Sequence, residues 1–257
     1  MKSSRKKLGL LFIIFIAIYI AIHFILLRSV HLINQQDLQT STQMILVTTP
    51  DWNSPAGTLQ RFERKSVNQP WEKVGAAIPV MIGKHGMAWG TPMHHIFYWL
   101  FAVNIKQEGD GKTPAGIYKI GPAFGFDEKS VGKLDYFHIN DTSICVDDMS
   151  SQHYNQLFDG AKVPNKDWNS GEQMHTVPGY QIGSVVQYNM NSPTVGAGSC
   201  IFMHIWKTPT TGTAGCIAMD ANNLRPVLEW LNAKNNPMMV TVIAPEYDNV
   251  KSQWKLP

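Results

Sequence analysis

Over most of its length this chain alternates short β-prone runs with turn signals, and that rhythm narrows the fold more than any other feature. Met44–Thr49, Pro79–Ile82, Gly116–Ile120 and Val240–Ile243 are runs of this kind. Between them lie Asn53-Ser54-Pro55-Ala56-Gly57, Asn68-Gln69-Pro70 and Gly121-Pro122, each carrying Gly or Pro where a backbone can turn. Thr113-Pro114-Ala115-Gly116 reads as a hairpin element. The pattern predicts a mostly β domain. One segment breaks it. Leu224, Val227, Leu228 and Leu231 fall at i, i+3, i+4, i+7 after Asp220, a helix-capping residue type. A helix is expected there, kinked by Pro226 or starting nearer Arg225.

The amino-terminal end follows a different rule. Leu8 to Leu27 is twenty residues without a formal charge, long enough as a helix to cross a hydrocarbon core of about 30 Å. Lys2, Arg5, Lys6 and Lys7 precede it, and no acidic residue occurs before Asp37. That asymmetry predicts a cytoplasmic tail over 1–7, a single transmembrane anchor over 8–27, and the rest of the chain outside the cytoplasm. Arg28-Ser29-Val30-His31-Leu32 offers no small-residue cleavage site, so an uncleaved anchor is expected over a signal peptide. Residues 28–43 read as a tether, and 44–250 as the folded domain.

Charge then excludes one class of partner. The chain has 22 Lys and Arg against 19 Asp and Glu; without the four basic residues of the tail, 18 remain against 19. The folded part has no basic surplus to meet a phosphate backbone, so nucleic acid is not an expected partner. None of the cysteine spacings is that of a zinc site, and no metal or cofactor is expected.

The chemistry concentrates in Ile201-Phe202-Met203-His204 and, twelve residues on from the histidine, Cys216 within Thr213-Ala214-Gly215-Cys216-Ile217-Ala218-Met219. A thiol becomes a nucleophile when imidazole holds or removes its proton. Gly215 lets the backbone turn so that N–H groups can face an oxyanion. The same spacing fits a buried cysteine near a satisfied core histidine, and spacing alone leaves both readings open.

This segment resembles the active site of the L,D-transpeptidase catalytic domain, a family of bacterial cysteine enzymes acting on peptidoglycan stem peptides. His204, Thr213, Gly215 and Cys216 fall on the family's histidine and Ser/Thr-x-Gly-Cys positions. Gly109-Asp110-Gly111-Lys112-Thr113-Pro114-Ala115-Gly116-Ile117-Tyr118 is similar to its Asp-Gly-x-Thr-Pro-x-Gly-x-aromatic element. Gly83-Lys84-His85-Gly86, Cys145-Val146-Asp147-Asp148 and Tyr154-Asn155 are similar to segments of one secreted branch. The resemblance spans roughly residues 75 to 245 and implies a β-sandwich or barrel with one helix after the cysteine. It also implies Cys216 as nucleophile forming a thioester, His204 as general base, the Cys216 and Gly215 N–H groups as oxyanion donors, and Thr213 in support. A resting thiolate–imidazolium pair would suit this chemistry.

Many members carry His or Asn before the glycine and Arg or Asn two residues past the cysteine; here those places hold Ala214 and Ala218. With His85, they are the expected substrate-side positions. The resemblance implies that 44–250 is a catalytic domain held by the anchor at a bacterial inner membrane, on the periplasmic or extracytoplasmic side, and that it transfers a stem-peptide acyl group to an amine. Transfer to water, as an L,D-carboxypeptidase or stem-peptide hydrolase, and a non-catalytic wall-binding module are the alternatives. A papain-like protease would place its cysteine and histidine in the reverse order.

Three cysteines in an exported chain leave one unpaired, and a Cys145–Cys200 bridge with Cys216 free is the economical arrangement. His94 and His95 read as strand-edge residues, and Ile96–Val103 as a strand buried on both faces or an exposed aromatic patch. Asp147-Asp148 fits a turn better than a shared-proton pair, because neighbours in a strand face opposite ways.

Overall fold

The computed structural model describes residues 37–90 and 104–257. The expected anchor over 8–27, His94, His95 and the Ile96–Val103 run lie outside the described residues. Among the described residues, no helix is long and apolar enough to cross a membrane.

Eight strands close into a barrel. Their order around the wall is β10 (Ile182–Val186), β11 (Phe202–Ile205), β12 (Ile217–Met219), β3 (Glu72–Met81), β2 (Ala56–Glu63), β1 (Gln43–Thr49), β13 (Met238–Ile243) and β5 (Thr113–Gly125). The circle closes because β5 also pairs with β10. Closure leaves these eight strands no open edge, which a half-buried sheet would otherwise expose. β4 (Met87–Trp89) and β6 (Tyr136–His138) extend the wall at β5.

Strand alternation fills the interior. Ile45, Val47, Leu59, Ile78, Val80, Met203, Ile217, Met219 and Met239 point into one core, and Met44, Leu46, Phe62, Met238, Val240 and Val242 into a second on the opposite face. Helix α1 (Ala221–Trp230) adds Leu224, Val227 and Leu228 to the first core. Asp220 caps α1 by accepting the Asn222 N–H at 2.9 Å, so the helix begins at Ala221 and carries Pro226 inside it. The lost hydrogen bond is tolerated because the apolar face is held by the core.

Several expectations are corrected. Gly121-Pro122 is not a turn but lies within β5. Ile120 pairs with Val186 and Ala123 with Ser184, so Gly121 and Pro122 together oppose Val185 alone. A β-bulge of this kind accommodates a residue with no N–H to give. Thr113-Pro114-Ala115-Gly116 is likewise the start of β5, parallel to β4, and not a hairpin. A second helix, α2 (Ala244–Trp254), closes the outer core with Trp254 and then Leu256. Packing therefore runs past 44–250 at both ends. Leu38, inside the expected tether, is buried, and the Arg64 guanidinium bonds to the Leu38, Gln39 and Ser41 carbonyls.

A small antiparallel sheet, β8 (Leu157–Asp159), β7 (Ser143–Cys145) and β9 (Glu172–Gln173), stands apart from the barrel. Its residues share a third apolar cluster with the outer side of β10 and β11.

Candidate active site

β11 and β12 are parallel neighbours, with Met203 opposite Ile217, His204 opposite Ala218 and Ile205 opposite Met219. Met203, Ile217 and Met219 belong to the barrel core, whereas Phe202 and Cys216 belong to the cluster beside the small sheet. Alternation therefore puts Phe202, His204, Cys216 and Ala218 on the outer face together.

The turn into β12 is held by two threonines. The Thr113 hydroxyl donates to the Gly215 carbonyl at 2.8 Å and accepts the Gly83 N–H at 2.9 Å. Thus Thr113 of the Asp-Gly-Lys-Thr-Pro element, 102 residues away in sequence, forms the floor of the cysteine loop. The Thr213 hydroxyl donates to the Cys216 carbonyl at 2.6 Å and accepts the Gly215 N–H at 3.1 Å. Gly215 itself has φ +156°, and a Cβ there would sit 2.9 Å from the Lys112 carbonyl oxygen, so only glycine fits. The Gly215 N–H, expected to face an oxyanion, is turned to Thr213 instead.

Cys216 is the free cysteine, and it is buried. Its thiol donates to the Cys200 carbonyl at 3.5 Å and accepts the Phe202 N–H at 3.4 Å. Burial, and then the Glu172 carboxylate, push the thiol up to about 12, against the Phe202 N–H, Tyr180 and Lys106. His204 Nδ1 lies 2.8 Å from the Ile205 carbonyl oxygen. A carbonyl only accepts, so Nδ1 carries the proton and Nε2 keeps its lone pair. Burial pushes the imidazole down to about 4, the Ile205 carbonyl opposing. Both shifts run against the expected thiolate–imidazolium pair, because burial disfavours either ion.

Cys145 and Cys200 are joined by a disulfide with S–S 2.03 Å. Asn155 fixes the other side of that bridge, accepting the Cys200 N–H at 2.8 Å. His85 is exposed, with Nδ1 2.7 Å from the Asp110 carbonyl oxygen, and the neighbouring Lys84 N–H reaches the Thr213 carbonyl at 2.8 Å. His85 thus stands at the rim of the cysteine loop, and Ala214 is exposed on the loop itself. Ala218 is different. It is fully buried, paired to His204 on one side and Met81 on the other, so it has no surface for substrate. Asp148 accepts from Ser150 and Asn169, as a turn residue does. Among the described residues no His, Cys, Asp or Glu cluster could hold a metal.

The model of the L,D-transpeptidase catalytic domain matches residues 66–243. The chain belongs to that family. No curated protein and no solved structure matches it. Membership associates the protein with L,D-transpeptidase activity in peptidoglycan.

Three residues around the candidate site were not singled out in sequence. Tyr180 packs its ring edge-to-face on His204 at 5.1 Å and shares an apolar cluster with Cys216. Glu172 comes from β9, where it pairs with Cys145. Lys106 is buried and bonds to Asp110 at 2.6 Å. No motif links these positions.

Proposed function

We propose that this protein is a peptidoglycan L,D-transpeptidase that carries its acyl group on Cys216. The sulfur attacks a stem-peptide carbonyl as the thiol gives up its proton, a C–S bond forms, and the amide nitrogen leaves as an amine. The Cys216 N–H supplies the oxyanion contact. An incoming amine then attacks the thioester while His204 Nε2 takes its proton, and the sulfur leaves. The observation that carries this reading is the parallel β11–β12 pair, which sets a free thiol and an oriented imidazole on one face.

The test is incubation of the purified protein with muropeptides and mass spectrometry of the products. Cross-linked dimers and a thioester adduct on Cys216 are expected. Trimmed monomers would make water the acceptor, and no adduct would overturn catalysis. For location, we propose an anchor over 8–27 with the domain outside the cytoplasm. The Cys145–Cys200 bridge supports it, because disulfides persist in oxidising compartments. Protease added to intact spheroplasts should digest the domain; protection would overturn this placement.

A further inference from the structure

We infer that Asn155 and the Cys145–Cys200 bridge are positioning groups for the nucleophile: they hold the Cys200 carbonyl against the Cys216 thiol. The inference rests on Cys216 carrying the acyl group as proposed above. Two backbone groups, two residues apart, meet the sulfur. The Cys200 carbonyl accepts the thiol hydrogen at 3.5 Å, and the Phe202 N–H donates to the sulfur at 3.4 Å. With one hydrogen bond given and one received, the thiol has a set direction. Phe202 is held by strand pairing, opposite Val185 of β10. Cys200 lies outside β11, and its backbone is left-handed, with φ +54°, a region that a cysteine seldom enters.

Side chains from elsewhere hold it there. The Asn155 amide oxygen accepts the Cys200 N–H at 2.8 Å, and Cys145 ties down its side chain through the bridge. Just before it, the Tyr154 hydroxyl accepts the Gly198 N–H at 3.2 Å. The carbonyl is the backbone group of Cys200 that remains, and it faces the thiol. Asn155 is fixed in turn. It is buried, left-handed at φ +59°, and its amide nitrogen donates to the Tyr188 and Asn189 carbonyls at 3.0 and 2.7 Å. Carbonyls only accept, so the amide has one orientation, with its oxygen towards Cys200.

The bridge gives the small sheet a part in the chemistry. Cys145 belongs to β7, where it pairs with Leu157 of β8 and Glu172 of β9. Cys200 is therefore anchored to a sheet that stands apart from the barrel, and through Asn155 to the turn after β10. Releasing Cys200 leaves the β11–β12 pairing in place and frees the sulfur to swing off the line of attack. A reacting atom misplaced by about 1 Å loses on the order of a hundredfold in rate.

The chain has three cysteines, two of them in the bridge, so its infrared S–H stretching band comes from Cys216 alone. Donation to a carbonyl lowers the frequency of that band. The band and the steady-state transfer rate with muropeptides are measured for the wild type, Asn155→Gly, and Cys145→Ser combined with Cys200→Ser. Glycine accepts the left-handed backbone, so Asn155→Gly removes the amide without straining the chain. The double serine variant decides the matter if Asn155→Gly does not fold. Ile45→Ala, a truncation in the barrel core, is the comparison for a loss of stability alone. Asn155→Gly and the double serine variant should move the band to higher wavenumber and lower kcat by about ten- to a hundredfold, with KM within about threefold. Ile45→Ala should leave the band where it is. A band unmoved in the folded variants would overturn the inference, as would a moved band with an unchanged kcat. If the variants move the band but even the wild type forms no product, the hold on the thiol stands and the transpeptidase reading falls.

Discussion

Two pairs of adjacent parallel strands run through the barrel, β1 with β13 and β11 with β12, and they do opposite work. The first is in register from Met44↔Met238 to Thr49↔Ile243 and is apolar on both faces, with α2 lying over the outer one. The second pairs only Met203, His204 and Ile205 with Ile217, Ala218 and Met219, and its outer face carries an imidazole and a thiol. The long pair contributes stability through burial. The short pair puts two titratable groups where burial disfavours their charged forms, which is a cost to stability.

The largest expected effect lies in the short pair. Cys216→Ala should lower acyl transfer by at least about a thousandfold while changing stability by less than about 1 kcal/mol. Product formation and a denaturant titration on the same sample measure both. Substantial residual turnover would remove the chemical half of the contrast.

Ile45→Ala tests the long pair. Ile45 is fully buried opposite Met239, so its truncation should cost about 2–5 kcal/mol. Activity per folded molecule should stay at the wild-type level. A loss of activity without a loss of stability would show that the two strand pairs are coupled.

How much of this was legible in sequence follows the same division. Alternation around Met44–Thr49 and Val240–Ile243 announces strands because both ends of that signal are local. The cysteine loop was legible because His204 and Cys216 are close in sequence. Barrel closure was not, since β5 meets β10 across about sixty residues and through a bulge at Gly121-Pro122. Helix α2 was missed because its buried positions, Trp254 and then Leu256, crowd one end and leave no apolar stripe. Glu172 and Tyr180 are ordinary in sequence; folding pairs Glu172 with Cys145 and packs Tyr180 into the apolar cluster that holds Cys145 and Cys216.

Acid should separate the two pairs again. His204 titrates at about 4 when folded and at its ordinary 6.5 when unfolded. Between those values the unfolded chain binds a proton that the folded one does not, so stability falls as pH drops from 6.5 to 4. The loss should reach on the order of 3 kcal/mol below that window. Glu172, raised above its ordinary value, acts in the opposite sense, so the readout is the difference between wild type and His204→Gln. Equal pH slopes in the two proteins would mean that the imidazole is not buried neutral.

The smallest effect expected is at Thr113, which joins the two regions. Its hydroxyl accepts the Gly83 N–H and donates to the Gly215 carbonyl, and the residue is fully buried. Thr113→Val keeps the shape and leaves both backbone groups without that partner, at a cost of about 1–3 kcal/mol. If the hydroxyl only stabilises the barrel, the whole effect appears in the unfolding midpoint. If it also sets the Gly215 turn, acyl transfer at temperatures well below that midpoint falls several-fold, because Cys216 follows Gly215 directly. The ratio of the two effects measures how far the floor of the cysteine loop belongs to the scaffold and how far to the site.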